Sequence, residues 1–193
     1  MNMTALPAKE RQSESTFLRE WILSSVMSTV KEHVSLPIWP AVPNFVPPLV
    51  KLHGHVPFNS RTLLNRRHFL KITNFHRIEN FTVFASGRDN NCRILVEFTP
   101  QCVSKFERLN SIRITEKTVN TIFLIGAAAL KYLPVNEAWA QWSLSIPLDP
   151  NIPVVPVLVV EQCEVFDLDQ VEVRPSFDYL YRLGPFEKLF TEV

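Results

Sequence analysis

Glycine is scarce in this chain: four in 193 residues, at Gly54, Gly87, Gly126 and Gly184, none adjacent to another. Phosphate-cradling loops and dinucleotide fingerprints need clustered glycines opening a helix, so neither is present. An excess of one charge is also missing. Lys plus Arg number 20 against 19 Asp plus Glu, for a formal net charge of +1. Such a balance gives no global field to hold a polyanion, and any nucleic-acid contact must be local. No apolar run approaches the roughly 18 residues of a membrane span, and Met1 to Gln12 lack the apolar stretch of a secretion signal. An intracellular protein with no membrane partner is expected. The three cysteines, Cys92, Cys102 and Cys163, match neither a disulfide framework nor a zinc site and read as buried reduced thiols.

What the chain does have is 46% hydrophobic and 20% charged residues, the balance of one folded domain. Residues 1–14 are polar and without period, a disordered tail. Phe17, Leu18, Trp21, Ile22, Ser25, Val26 and Val30 then repeat at three and four, predicting an amphipathic helix with Ser15 or Thr16 as N-cap. From Leu36 to Pro57 lie six of the 15 prolines, interleaved with Ile38, Trp39, Val42, Phe45 and Val46. Proline forbids a helix there and predicts an extended arm that covers core. Helix and arm together make residues 15–66 a unit packed on a larger β domain.

Residues 67–175 read as that domain. Three β-rich runs, Phe69 to Phe75, Phe81 to Ala85 and Cys92 to Phe98, are separated by turn clusters at His76–Asn80 and Gly87–Asn91, predicting an antiparallel meander. Thr99-Pro100 is an N-cap with proline at the first helical position, and Val103, Phe106 and Leu109 follow as its apolar stripe. Later strands are expected at Val119–Ile125 and Leu130–Leu133 around Gly126, at Ala140–Ile146, and at Val154–Val160. Three strands, a helix and two more core strands is the order of a five-stranded OB-fold barrel, all-β with peripheral helices. Ser176 to Leu183 is expected to close the barrel as a helix within a C-terminal segment of residues 176–193.

Candidate chemistry is sparse. Glu161, Glu164, Asp167, Asp169 and Glu172 could hold a metal or act as an acid and base pair, but without histidines or a phosphate loop they read as a solvated edge. His53 and His55 lack a third ligand. No catalytic residue, metal or cofactor is expected. Arg61, Arg66, Arg67, Lys71 and Arg77 lie beside Phe69 and Phe75 with no acid among them. That pattern fits a groove for single strands with a stacking platform. Inward-pointing rings behind a basic rim fit it equally well. Trp21, on the helix stripe, is either core or an interface anchor. Glu107, Arg113, Glu116, Lys117, Thr118 and Asn120 form a mixed polar connection.

Several stretches resemble one family, the small accessory subunit of budding-yeast telomerase, third of the ever-shorter-telomeres proteins. They are His68-Phe69-x-Lys71-Ile72-Thr73-x-Phe75, Ala85-Ser86-x-Arg88-Asp89, Ile94 to Phe98, Cys102-Val103-Ser104-x-Phe106-Glu107-Arg108, Arg113-Ile114-Thr115, Val155 to Leu158 and Phe166-Asp167-x-Asp169-Gln170-Val171. Phe17-Leu18-x-x-Trp21-Ile22 joins them near the N-terminus, whereas Asn74 and Glu116-Lys117 depart from the pattern. That family is similar to the OB domain of the mammalian shelterin component that recruits telomerase. The resemblance implies a non-catalytic, monomeric adaptor in the nucleus at chromosome telomeres. Its implied partners are the N-terminal domain of the telomerase reverse transcriptase and a larger accessory subunit, with at most weak contact to telomerase RNA or telomeric single-stranded DNA. It carries Glu107, Arg113, Thr118 and Asn120 over as partner-binding, together with Trp21 and Lys71. Asp89 and Asp169 match functional positions, with direct contact and a structural role both open. Arg66, Arg67 and Phe75 are the residues a nucleic-acid reading would use.

Overall fold

The computed structural model describes residues 18–49, 68–167 and 177–191. The expected tail, the N-cap candidates Ser15 and Thr16, the arm beyond Leu49, His53, His55, Arg61, Arg66, Arg67, Asp169 and Glu172 lie outside them.

β-rich alternation builds the frame. Among the described residues the strands are β1 (Val42–Val46), β2 (Phe69–Glu79), β3 (Thr82–Arg88), β4 (Arg93–Phe98), β5 (Ile122–Pro134) and β6 (Val154–Asp167). Strands β2, β3 and β4 form the expected antiparallel meander. β4 then pairs in parallel with β6, and β5 pairs antiparallel with both β6 and β2. Five strands therefore close a ring in the order β2-β3-β4-β6-β5, and β1 adds to β5 from outside. Closure leaves few unpaired strand edges inside the ring. Four α-helices accompany the sheet among the described residues: α1 (Ile22–His33), α2 (Pro100–Asn110), α3 (Val135–Trp142) and α4 (Gly184–Thr191).

Helix α2 forms as its cap predicts, with Thr99 Oγ1 accepting from the Cys102 amide at 3.2 Å and Pro100 at the first position. It buries Cys102 and Phe106, and Phe106 meets the Phe123 ring edge-on at 5.5 Å. Leu109, assigned to that stripe from the sequence, is exposed instead. The Cys102 and Cys163 sulfurs stand 3.5 Å apart as free thiols. Their contact and burial push the Cys163 thiol up, which keeps it protonated and unreactive.

Several expectations are corrected. Helix α1 begins at Ile22, with Leu18 and Trp21 buried ahead of it. Strand β2 runs through the expected turn at His76–Asn80 as far as Glu79. The turn is only Asn80-Phe81, both at positive φ (49° and 64°), whose twist matches that of paired strands. Phe81, read as a strand residue, sits at the tip in solvent. Ala140–Ile146 is not a strand: α3 occupies Val135–Trp142 and places Ala138 and Trp142, four apart, on one buried face. Trp142 Nε1 donates to the Ala85 and Val96 carbonyls at 3.0 and 3.3 Å, which a strand side chain there would not reach. The closing helix is α4, beyond the expected Ser176–Leu183. The chain before it is a 3-10 turn, Leu180–Arg182, whose Tyr181 hydroxyl donates to Pro156 O at 2.7 Å and accepts from the Leu95 amide at 3.1 Å.

Gly126 joins the two runs read as separate strands, so β5 is continuous. A Cβ there would meet Leu49 Cγ at 2.6 Å and the Leu49 amide nitrogen at 2.9 Å, so only glycine lets the proline arm lie across β5. The arm is further held by the Leu49 amide donating to Gln162 Oε1 at 2.9 Å. Gly126→Ala is expected to destabilise the chain by about 1–3 kcal/mol, the usual cost of overpacking. Urea denaturation checks this, and an unchanged midpoint would mean that the arm is not seated on β5.

Candidate functional site

Asp89 opens the turn between β3 and β4, and its carboxylate is wholly buried. Oδ1 accepts from the Asn91 and Cys92 amides at 2.8 and 3.1 Å, the turn-forming bonds that an Asp at this position can make. Oδ2 accepts from the Trp21 and Ile22 amides at 2.7 and 2.9 Å. These are first-turn donors of α1, which no local side chain caps. An anion 67 positions away in sequence therefore starts the helix. Of the two readings left open for Asp89, the structural one matches these contacts.

Trp21 is drawn inside by the same contact, 8% exposed, with Nε1 donating to Phe69 O at 2.9 Å and its ring edge-on to His68 at 4.8 Å. Its burial matches the core reading of this residue. Lys71 is buried too, paired in register between Arg88 and Ile122. Both side chains are turned away from solvent. Phe75 is half-buried against the core, which favours the inward-ring reading of the basic segment over a stacking platform.

On the connection from α2 to β5, Arg113, Glu116 and Lys117 reach solvent. Ser111, at φ 56°, ends α2 in a left-handed cap, and Ile114 pins the following segment into the core. Thr118 then donates from Oγ1 to Thr115 O at 2.6 Å and accepts from the Thr115 amide at 3.1 Å, while Thr115 Oγ1 accepts from the Lys117 amide at 3.3 Å. This reciprocal cap locks a 3-10 turn, Glu116–Thr118, and leaves Glu116 and Lys117 exposed. Thr118 is thus a buried brace where the sequence suggested a contact. Asn120 follows at φ 68°, its amide donating to Ile72 O at 2.7 Å. On the outer side Arg113 Nε pairs with Glu107 Oε1 at 3.0 Å, the side chains 74% and 44% exposed. Of the predicted partner-binding residues, Arg113 and Asn120 therefore lie on this braced connection, and Glu107 reaches it from the last turns of α2 through its pair with Arg113. Thr115 was missed, although its spacing to Thr118 carries the signature of a cap.

Beside this connection a second network crosses β3. His76 Nε2 and the Tyr179 hydroxyl both bond Ser86 Oγ, at 2.7 and 2.8 Å. Burial, and then the Arg93 guanidinium, push the His76 imidazole down to about 4. Among the described residues no three His, Cys, Asp or Glu side chains converge to hold a metal ion.

The family model described as "Shelterin complex subunit, TPP1/ACD" matches residues 18–182 of this chain. The telomere replication protein EST3 of Eremothecium gossypii is 36% identical over 177 residues, spanning 92% of this chain and 87% of that protein. The chain belongs to this family. The EST3 proteins of Candida glabrata and Kluyveromyces lactis agree, at 34% and 32% identity over 88% and 94% of this chain and 92% and 97% of theirs. A solved structure, the Est3 telomerase subunit of the yeast Hansenula polymorpha, is similar in fold, with TM-score 0.55 at 17% identity over 74% of this chain and 89% of that one. The family resemblance read from the sequence is thereby upheld.

Two outcomes test this geometry. Asp89→Ala leaves three buried amides and one part-buried amide without an acceptor, at about 1–3 kcal/mol for each buried one before relaxation, so a loss of about 3 kcal/mol is expected in urea titration. A loss below about 0.5 kcal/mol would show that the carboxylate is no clamp. For His76, a folded-state value below the unfolded 6.5 means that the unfolded chain takes up the proton first. Stability is then complete above 6.5 and falls as pH drops towards 4, and His76→Gln is expected to flatten that slope in melts across the window.

Proposed function

We propose that this chain is a non-catalytic regulatory subunit of a telomerase holoenzyme, serving telomere maintenance in the nucleus at chromosome ends. Its five-strand ring is an OB-fold, the neighbour order being that of five core strands in which the third and fifth lie parallel. As a monomeric adaptor it contacts the N-terminal domain of the reverse transcriptase and a larger accessory subunit through Glu107, Arg113 and Asn120. Support for this comes from relatives named as telomere replication proteins.

The observation that carries the docking face is the exposed Arg113–Glu107 pair on its braced connection. An ion pair this open is worth roughly 0–1 kcal/mol to folding. The pair joins the last turns of α2 to the connection that follows it, and both side chains stand open to solvent. Charges presented this way set encounter rate and partner choice. Trp21, Lys71, Thr118 and Asp89 are buried, so their substitution is expected to act through stability.

Arg113→Glu is expected to abolish co-purification with the reverse transcriptase while the melting temperature stays within about 2 °C of wild type, as befits a surface change. Exchanging both charges, Glu107→Arg with Arg113→Glu, rebuilds the internal pair and is expected to leave association lost. Retained association of the single variant, or its unfolding, would refute the docking face.

A further inference from the structure

A cavity of about 250 Å³ opens beside the docking connection, lined by Thr73, Asn74, Arg88, Arg93, Asn120 and Phe177 among others. Its polar lining holds two guanidiniums, two amides and a hydroxyl, and no carboxylate among the described residues. Arg88 is buried, its Nη1 donating to Asp89 O at 3.0 Å and its guanidinium lying 4.5 Å over the Phe177 ring. Arg93 differs. Its guanidinium lies over the Tyr179 ring at 4.0 Å, its Nη1 reaches Asn74 Oδ1 at 3.3 Å, and its Nε is buried with no hydrogen-bond partner. It has no ion pair among the described residues. His76 nearby is held neutral and contributes neither a compensating nor an additional charge at neutral pH.

A cation oriented by ring stacking, half-shielded from water and short of acceptors, is in energetic deficit. Buried polar groups without partners cost roughly 1–3 kcal/mol and call for a reason. A carboxylate is the complement, because guanidinium and carboxylate match in plane and charge. We propose that this cavity is a receptor for an acidic side chain of a protein partner, with Arg93 as its charge and Asn74 and Asn120 as flanking amides. The partner class rests on reading the adjoining connection as a protein-docking surface. Asn120 belongs to both, so the acid would enter at the edge of that interface.

Single-stranded nucleic acid fits less well. It needs a track of cations and open aromatic faces for its bases. Here Arg88 is buried, the Tyr179 face carries Arg93, and Phe75 packs on the core. The result is a point receptor in place of a groove.

The test is a titration of the purified full chain with a hexa-aspartate peptide, read in ¹⁵N spectra at the Arg93 Nε–H and the Asn74 and Asn120 side-chain amides. Parallel titrations use inorganic phosphate and an oligothymidylate. Saturable shifts confined to these groups are expected with the peptide. Arg93→Gln is expected to weaken that binding at least about tenfold, as loss of a charge-assisted bond does, with an unchanged melting temperature. Asn120→Asp, which keeps the Arg93 stack but adds a like charge at the rim, is expected to weaken it in the same direction and decides the matter should Arg93→Gln unfold. Affinity within twofold of wild type in the deciding variant, shifts scattered over other surfaces, or equal or tighter binding of phosphate or oligothymidylate would overturn the proposal. No partner subunit takes part, so the outcome is independent of whether Arg113→Glu disrupts the holoenzyme.

Discussion

The carboxylate of Asp89 ties together parts of the chain that would otherwise have no reason to meet. One oxygen closes the β3–β4 turn and the other supplies the acceptor that the first turn of α1 lacks. Because the helix starts there, Leu18 and Trp21 are drawn inward, and α1 lies where Thr29 bonds the Tyr132 hydroxyl of β5 at 2.7 Å. A buried anion is costly unless every lone pair is used, and here four amides share it. Through these four bonds Asp89 joins the helix start and the turn, so a change at Asp89 bears on both together.

The ring and its attachments divide the work. Inside, Phe98, Phe106, Phe123 and Trp142 fill the space between strands, with α2 and α3 packed against them. Outside, β1 of the proline arm pairs with β5, its bulge opened by Asn44 at φ 57°. Proline within a strand is tolerable at such an edge, where one side of the ladder needs no donor. The connection between α2 and β5 is anchored by the buried Ile114 and Thr118, with Arg113, Glu116 and Lys117 turned to solvent. Buried braces and exposed charges therefore sit on adjacent but distinct side chains.

Much of the meander was legible because its signals are local. Apolar alternation marks β3 and β4, and Thr99-Pro100 marks the start of α2, each within a few residues of the bond it makes. The errors share one cause. Trp142 looked like a strand residue because the run Ala140–Ile146 alternates, but its indole needed the Ala85 and Val96 carbonyls, and only a helical turn delivers it there. Phe81 looked like core because phenylalanine usually is, yet a two-residue turn places it in solvent. Within the candidate site, Glu107 and Arg113 were readable as polar residues on a connection. The burial of Trp21 was one of the readings its place on the apolar stripe offered, whereas that of Lys71 and Thr118 was not legible, since each is decided by a neighbour distant in sequence or by a cap.

By itself the sequence determined the class of the protein: mostly sheet, short of glycine and of net charge, and carrying the residue order of its family. These properties come from composition, periodicity and motif spacing, which relate neighbours along the chain. Tertiary structure alone decided that Asp89 caps a helix, that β4 and β6 run parallel to help close the ring, and that Arg93 faces a cavity without a carboxylate among the described residues. Those outcomes depend on which remote groups burial brings within hydrogen-bonding distance, and no local pattern encodes that distance.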